Sequence, residues 1–267
     1  MSLPNPARQK AARDKLDQIF AHPEQGFAIH YACQSFYQDQ QLASTRIGCI
    51  SLRQLASGQV TTFSIAKTAE LYRLTADDIP PRWNALERTM LGEFYEFVRT
   101  NRTARYLHWN MRDDTFGFGA LAHRFEVLGG RPEDIAEGNR VDLARLLNEI
   151  YGDAYVKERS KLDALAKRNG LVSSDTLAGA AEAAALEQGQ FRIVQMSTQG
   201  KVKLISDIAS RTFDRTLQTD AGLVVLHGAP VRLMLRRLIE NPGYTIASGL
   251  VGGFVVVFKV YDWLFGG

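Results

Sequence analysis

The sequence predicts an α/β fold in which a mixed sheet, made of a three-strand meander plus a further strand, is flanked by helices. Three short runs within residues 26–65 are rich in β-branched and aromatic residues, and polar or glycine-containing breaks separate them. After residue 65 the apolar spacing becomes that of amphipathic helices, with one more short strand at 105–110. The chain of 267 residues is long enough for one large domain with an appendage.

Composition excludes several classes of protein. The chain is 45% hydrophobic and 23% charged, and its net charge of +3 is too small by itself to indicate a nucleic-acid partner. Its two cysteines, Cys33 and Cys49, fall inside predicted strands, which favours buried, reduced thiols in a cytoplasmic domain over a disulfide framework. No closely spaced set of zinc ligands is present. The first residues lack the apolar core of a signal peptide, so we expect none.

The elements follow one another in a simple order. Residues 7–21 predict a charged helix with one narrow apolar stripe, and the meander follows it at 26–65. Residues 65–79 favour a short helical connector, and Trp83–Arg99 favours a strongly amphipathic helix. After the strand at 105–110, further helices are predicted near residues 118–128, 141–152, 161–171, 175–187 and 198–217.

Six segments of the predicted sheet and helices carry a family resemblance. They are Ile29–Ala32 in the first strand, Arg46–Leu52 in the second, Trp109–Asp114, Val141–Leu146, Lys161–Lys167 and the last helix, Asp175–Ala185. In this order they resemble the DEDD-type 3′–5′ exonucleases, which have an RNase H-like fold. The resemblance covers residues 26–190, and it implies an RNase H-like sheet for them. The remaining boundaries are an N-terminal helix at 1–25, a helical connector at 191–240 and a C-terminal appendage at 241–267.

The same resemblance implies that the exonuclease centre has been lost. That family places Asp-x-Glu on its first strand, where the carboxylates hold two divalent metals about 4 Å apart. Here His30 and Ala32 occupy those positions. The final helix offers Asp175 and Ala180 where His and Asp are expected. We therefore predict no catalytic residues, no metal and no cofactor.

Two metal-binding alternatives remain open. An active nuclease would use the displaced acids Asp113, Asp114 and Asp142 with Mg²⁺ or Mn²⁺ to cleave single-stranded nucleic acid. Alternatively, His30 and His108 would join Asp113 and Asp114 in a single-metal site. The simpler interpretation, which we favour, is that both histidines are hydrogen-bonded strand residues and that an aspartate caps the next helix.

A basic groove is the predicted binding site. Arginines beside aromatic side chains are typical of sites for single-stranded nucleic acid or nucleotides. The opposing interpretation is a solvated charged surface with the tryptophan in the core. The residues assigned to the groove are Arg46, Arg99, Arg102, Arg105, Trp109 and Arg112, with Phe116 on its rim.

The C-terminal appendage predicts a transmembrane helix. Tyr244–Phe258 carries no charge, and the 22 residues from Tyr244 to Phe265 would span about 33 Å as a helix. The arginines within 232–238 would keep the N-terminal domain on the cytoplasmic side of a single-pass protein of the cell membrane. Small residues four apart allow such helices to pack closely, which predicts self-association. These residues are Ser248, Gly249, Gly252 and Gly253.

Together these features predict a membrane-anchored, catalytically degenerate exonuclease-like protein that binds or senses a ligand. The context that best fits such a protein is an effector in a bacterial anti-phage or stress response. Two other functions remain open, the metal-dependent nuclease and a structural adaptor that binds a partner protein through the amphipathic helix at 198–217. The appendage also has a soluble alternative, a C-terminal helix or hairpin buried on the domain, or a docking peptide.

Overall fold

The computed structural model describes residues 5–35, 44–112, 116–171 and 175–221. Its strands are β1 (Gly26–Cys33), β2 (Ile47–Gln54), β3 (Val60–Ser64), β4 (Arg105–His108) and β5 (Arg140–Asp142). Its α-helices are α1 (Pro6–Phe20), α2 (Ile65–Leu71), α3 (Ile79–Thr100), α4 (Phe118–Val127), α5 (Leu143–Tyr151), α6 (Lys161–Arg168), α7 (Gly179–Glu187) and α8 (Phe191–Phe213).

The chain divides into two compact units. The larger contains residues 14–145 and 160–218, and all five strands belong to it. The smaller includes, among the described residues, 5–13, 146–159 and 219–221. Within the smaller unit Gln9 donates a hydrogen bond to the carbonyl of Ile150 at 2.7 Å.

The five strands form one mixed sheet in the order β3-β2-β1-β4-β5. β1 pairs antiparallel with β2, and β2 antiparallel with β3, as a meander must. β1 pairs parallel with β4, and β4 parallel with β5. The predicted α/β class, with a meander plus a further strand and flanking helices, is therefore confirmed. The three-residue β5 was missed because its residues also begin the apolar pattern of α5.

Strand alternation gives the sheet two different faces. On one face, here called the α3 face, Phe27, Ile29 and Tyr31 of β1 are buried in the apolar core with α3. The other, here called the α8 face, carries Ala28, His30 and Ala32 of β1, and α7 and α8 pack against this strand. All eight residues of β1 are buried, because helices cover both faces of the sheet.

α3 supplies most of the apolar core on its face. Its buried residues recur at helical spacing and include Met90, Leu91 and Phe94, each with no exposed surface. Fully burying each such side chain stabilises the fold by about 1.5–3 kcal/mol. The helix begins at Ile79 rather than at Trp83, because proline is tolerated in the first helical turn and Pro80 and Pro81 therefore do not delay it.

α8 belongs to the same unit as the sheet. It begins at Phe191, seven residues before the predicted start, and its buried residues pack mainly on β1 and β2. The first part of the predicted connector at 191–240 is thus a helix of the α/β unit. The apolar side of this helix, which the adaptor hypothesis assigned to a partner protein, faces the protein's own sheet.

Several predicted features involve residues outside the described ranges. Within the described part of the chain, none of the helices combines the length and the apolar character needed to cross a membrane. The predicted transmembrane helix at 241–267, with Ser248, Gly249, Gly252 and Gly253, lies outside the described residues. Asp113 and Asp114 also lie outside them.

Candidate functional site

The carboxyl ends of the parallel strands meet at one edge of the sheet. His108, the last residue of β4, pairs with Asp142, the last residue of β5, and β1 lies on the other side of β4. In open α/β sheets ligands bind outside this edge. Two polar clusters lie near it, one on each face of the sheet.

The first cluster is on the α8 face and is centred on Glu182 of α7. Lys201 Nζ donates to Glu182 Oε2 at 2.7 Å, and His30 Nε2 lies 3.2 Å from the same oxygen. Ser197 Oγ donates to Glu182 Oε1 at 2.6 Å. We call His30, Glu182, Ser197 and Lys201 the Glu182 cluster. Each of the four is at most 9% exposed, so the carboxylate is paired away from solvent.

The charges in the Glu182 cluster balance internally. Burial alone would raise the pKa of Glu182, but His30 and Lys201 outweigh it and lower the pKa to about 2. Burial, aided by Lys201, lowers the pKa of His30. At neutral pH the imidazole is therefore neutral and donates its Nε2 hydrogen, and Lys201 is the cation that balances the carboxylate.

The positions that the family resemblance singled out lie in this cluster or beside it. His30 and Ala32 are alternate residues of β1, so their side chains share the α8 face. His30 belongs to the Glu182 cluster, whereas Ala32 pairs with Cys49 of β2. Cys49 Sγ lies 3.1 Å from Thr198 Oγ1 of α8. The first-strand positions thus face helices that supply one carboxylate, one ammonium and several hydroxyl groups.

The two cysteines behave as the sequence predicted. Both are free and buried. Burial raises the pKa of Cys33 and of Cys49 to about 12, so both remain thiols at neutral pH.

The second cluster surrounds Asp142 on the α3 face. Its Oδ1 accepts hydrogen bonds from the backbone N–H groups of Ala144 at 3.0 Å and Asn110 at 3.3 Å. Arg112 Nε lies 2.8 Å from Oδ2, although it is not aligned for a hydrogen bond. Asp142 therefore caps the start of α5 and ties it to the turn that follows β4. This role uses Oδ1, whereas Oδ2 faces the guanidinium group of Arg112.

His108 supports the same turn. Its Nδ1 accepts a hydrogen bond from the backbone N–H of Met111 at 3.1 Å. Burial lowers the pKa of His108 to about 4, so the ring is neutral at pH 7 with its proton on Nε2. Between these residues Asn110 adopts a left-handed conformation with φ of 57°, which asparagine tolerates better than most residues.

The single-metal alternative that joined His30 with His108 is wrong. Phe27 pairs with Tyr106, so His108, two residues further on, lies on the α3 face. His30, three residues after Phe27, lies on the α8 face. Within the described ranges no group of three or more His, Cys, Asp or Glu side chains could hold a metal ion. Asp113 and Asp114 are not part of those ranges.

The residues assigned to the predicted basic groove lie at two opposite ends of the sheet. Arg105 begins β4, and Arg99 and Arg102 lie in the segment that leads into it. Trp109 follows the last residue of β4, and Arg112 follows three residues later. Arg46 immediately precedes β2, whose start lies beside the end of β1. The structure thus brings Arg46, Trp109 and Arg112 to the carboxyl edge and leaves the other three at the opposite end.

All five of these arginines already have partners, and that of Arg112 is Asp142. Arg99 pairs with Glu96, Arg102 lies 3.3 Å from Glu133, and Arg105 donates to the carbonyl of Gln18 at 2.6 Å. Arg46 lies over the ring of Trp83, 5.7 Å from its centroid. At the carboxyl edge Arg112 remains 55% exposed in its side chain, so it is the groove arginine best placed there to meet a ligand.

An aromatic pair lies near the same edge. The ring of Phe116 stacks on Tyr31 with centroids 4.5 Å apart, and it lies 6.1 Å from the ring of His30. The hydroxyl of Tyr31 accepts a hydrogen bond from the backbone N–H of Gly117 at 3.0 Å. Phe116 is partly exposed, so an aromatic surface is available beside the Glu182 cluster.

Sequence reasoning missed Glu182, Ser197 and Lys201. A signal was present, because Lys201 lies in the buried stripe of α8 between Val194 and Ile205, and a buried lysine needs a carboxylate partner. Only the folded chain identifies that partner as Glu182, which lies in an alanine-rich helix. No family model matches the chain, and no curated protein matches it. Its function is therefore inferred from these residues.

Proposed function

We propose that the chain is a membrane-anchored binding or sensor protein whose α/β unit is an exonuclease-like scaffold without nuclease activity. The strand order supports an RNase H-like scaffold of the DEDD exonuclease type, since a three-strand antiparallel meander is followed by two strands parallel to the first.

One observation is the main support for the proposed loss of nuclease activity. Lys201 Nζ lies 2.7 Å from the Glu182 carboxylate on the face of β1 where the resemblance places the metal-binding acids. A fixed ammonium group repels divalent cations, and it already neutralises Glu182, the one buried carboxylate on that face among the residues that the structure describes. A two-metal centre needs several carboxylate oxygens, whereas β1 provides an imidazole and a methyl group.

The proposed ligand is a nucleotide or a single strand of nucleic acid that binds at the carboxyl edge. Arg112 would meet its phosphates, and Phe116 would stack on a base. The proposal extends to the appendage at 241–267, which would hold the protein in the cell membrane and associate with other copies. Ligand binding would then assemble the appendages, as suits an anti-phage or stress-response effector.

The test uses the full chain, purified in detergent. Labelled single-stranded DNA and RNA are offered with Mg²⁺ or Mn²⁺, and cleavage and fluorescence anisotropy are followed in the same samples. We expect saturable binding without cleavage, and weaker binding in Arg112→Ala. Arg192→Ala, which alters an exposed arginine of α8, is the matched control.

Two outcomes would overturn this proposal. Metal-dependent cleavage that is lost in Asp114→Ala would favour the nuclease alternative with Asp113, Asp114 and Asp142. The absence of binding to either nucleic acid or to nucleotides would remove the ligand class. The membrane part is tested separately, by fractionating cells that express the full chain or a truncation ending at Asn241. Equal solubility of the two would reject the anchor.

A further inference from the structure

A groove on the outer side of α3 has a composition suited to an anion. It has a volume of about 670 Å³ and lies between α3 and the segment that follows α4. On α3 its lining residues follow helical spacing and form one stripe, Ala85, Arg88, Thr89 and Gly92. Across from them lie Phe125, Gly129, Gly130 and Arg131.

The charge of this groove is entirely positive. Of its eight lining residues two are arginines and none is acidic. Two acids that follow Arg131 in the chain are paired with other arginines, Glu133 with Arg102 and Asp134 with Arg140. The two guanidinium groups therefore face solvent without a neutralising carboxylate in the lining.

Both arginines have N–H donors that make no hydrogen bond with the described residues. Arg88 Nη2 lies 3.4 Å from the carbonyl of Gly129, at the long limit of a hydrogen bond. Arg131 makes no hydrogen bond or ion pair with the described residues. Both side chains belong to exposed residues, and the contact with Gly129 brings Arg88 across the groove toward Arg131.

A glycine keeps the groove open where packing does not require one. Gly92 lies in the interior of α3, where glycine costs about 1 kcal/mol relative to alanine. A Cβ atom at this position would meet only Phe125 Cζ, at 3.9 Å, which is an ordinary contact. The missing side chain therefore leaves space in the groove rather than relieving a clash.

We propose that this groove binds a small phosphate monoester. Arginine is suited to phosphate because its planar fork of donors matches two phosphate oxygens. Two guanidinium groups also match the charge of a phosphate monoester, about −1.5 to −2 at pH 7. The volume leaves room for an organic group beside the phosphate. This site is separate from the carboxyl edge and does not depend on the function proposed there.

Titration calorimetry of the full chain with ribose 5-phosphate tests the site, with ribose as the uncharged comparison. We expect saturable binding of the phosphate ester and none of ribose. Arg88→Ala and Arg131→Ala should each weaken binding about tenfold, the effect of losing one charge-assisted contact. Gly92→Leu should weaken binding without changing the charge, because its side chain fills the groove.

Arg192→Ala, which removes an exposed arginine from α8, should bind like the unaltered protein. The proposal is overturned if the unaltered protein shows no saturable binding, or if the Arg88→Ala/Arg131→Ala double variant binds equally well. It is also overturned if Arg192→Ala loses as much affinity as the groove variants, since that would indicate a non-specific effect of net charge. Circular dichroism of each variant checks that it has folded.

Discussion

Arg124 of α4 donates from Nε and Nη2 to both carboxylate oxygens of Glu87 on α3, at 2.9 and 2.5 Å. The two side chains are 4% and 0% exposed. Glu87 also accepts hydrogen bonds from the backbone N–H of Ile47 at 2.6 Å and from Trp83 Nε1 at 3.0 Å. One buried ion pair thus connects two helices with the start of β2.

Removing one member of this pair should be severely destabilising. Arg124→Ala leaves the Glu87 carboxylate buried without its cation, which we expect to lower the free energy of unfolding by about 3–5 kcal/mol. Urea denaturation followed by circular dichroism measures the effect. Arg88→Ala, on the exposed side of α3, is the matched control and should change stability by less than about 0.5 kcal/mol. Equal losses in the two variants would show that the buried pair has no special role.

The Glu182 cluster should behave as a coupled unit. Lys201→Met leaves the Glu182 carboxylate without its cation and should lower the free energy of unfolding by about 3–5 kcal/mol. Glu182→Gln added to it removes the unpaired charge, so the double variant should be more stable than Lys201→Met alone. A double-mutant cycle from denaturation curves measures the coupling. Additive losses would contradict the direct pairing seen at 2.7 Å.

The two buried histidines should make stability depend on pH. Burial is the main reason why the pKa values of His30 and His108 are lowered. The pKa of His108 falls to about 4. The unfolded chain, with histidine pKa values near 6.5, then binds more protons than the folded chain below that pH. The stabilising contribution of each histidine is complete above pH 6.5 and is lost as the pH falls through its lowered pKa in the folded chain, which for His108 is about 4. For His108 the loss of stability approaches about 1.4 kcal/mol per pH unit between these two pKa values.

Denaturation midpoints measured between pH 7.5 and 4.5 test this dependence. His108→Gln should flatten the slope, because glutamine does not titrate. His123→Ala, at an exposed position on α4, should keep the slope of the unaltered protein. An unchanged slope in His108→Gln would mean that His108 does not take up a proton on unfolding.

Gly48 marks a close approach between the sheet and α7. A Cβ atom built there would lie 2.2 Å from Leu186 Cδ1, and Leu186 is only 1% exposed. Gly48→Ala should therefore lower the free energy of unfolding by about 1–3 kcal/mol through overpacking. Gly119→Ala in α4 is the control, since a Cβ atom there meets nothing within 4 Å. It should stabilise the protein by up to about 1 kcal/mol, and thermal unfolding compares the two.

The elements that could be predicted were those with a strong local pattern. The meander within 26–65 and the amphipathic α3 follow from apolar spacing alone, because burial on one face imposes a period of 2 or 3.6 residues. β5 could not be separated from α5, since three residues are too few to show a period. Apolar spacing predicts the start of α8 seven residues too late, because Phe191–Ser197 has a weaker apolar pattern than the helical turns that follow.

The sequence by itself determined the α/β class, the meander, the buried thiols and the absence of acids at positions 30 and 32. All of these depend on residue identity or on local periodicity. The tertiary structure alone decided that His30 and His108 lie on opposite faces and that Arg105 and Arg112 lie at opposite ends of the sheet. It also decided that Lys201 pairs with Glu182, because strand register and helix docking join residues that no local pattern relates.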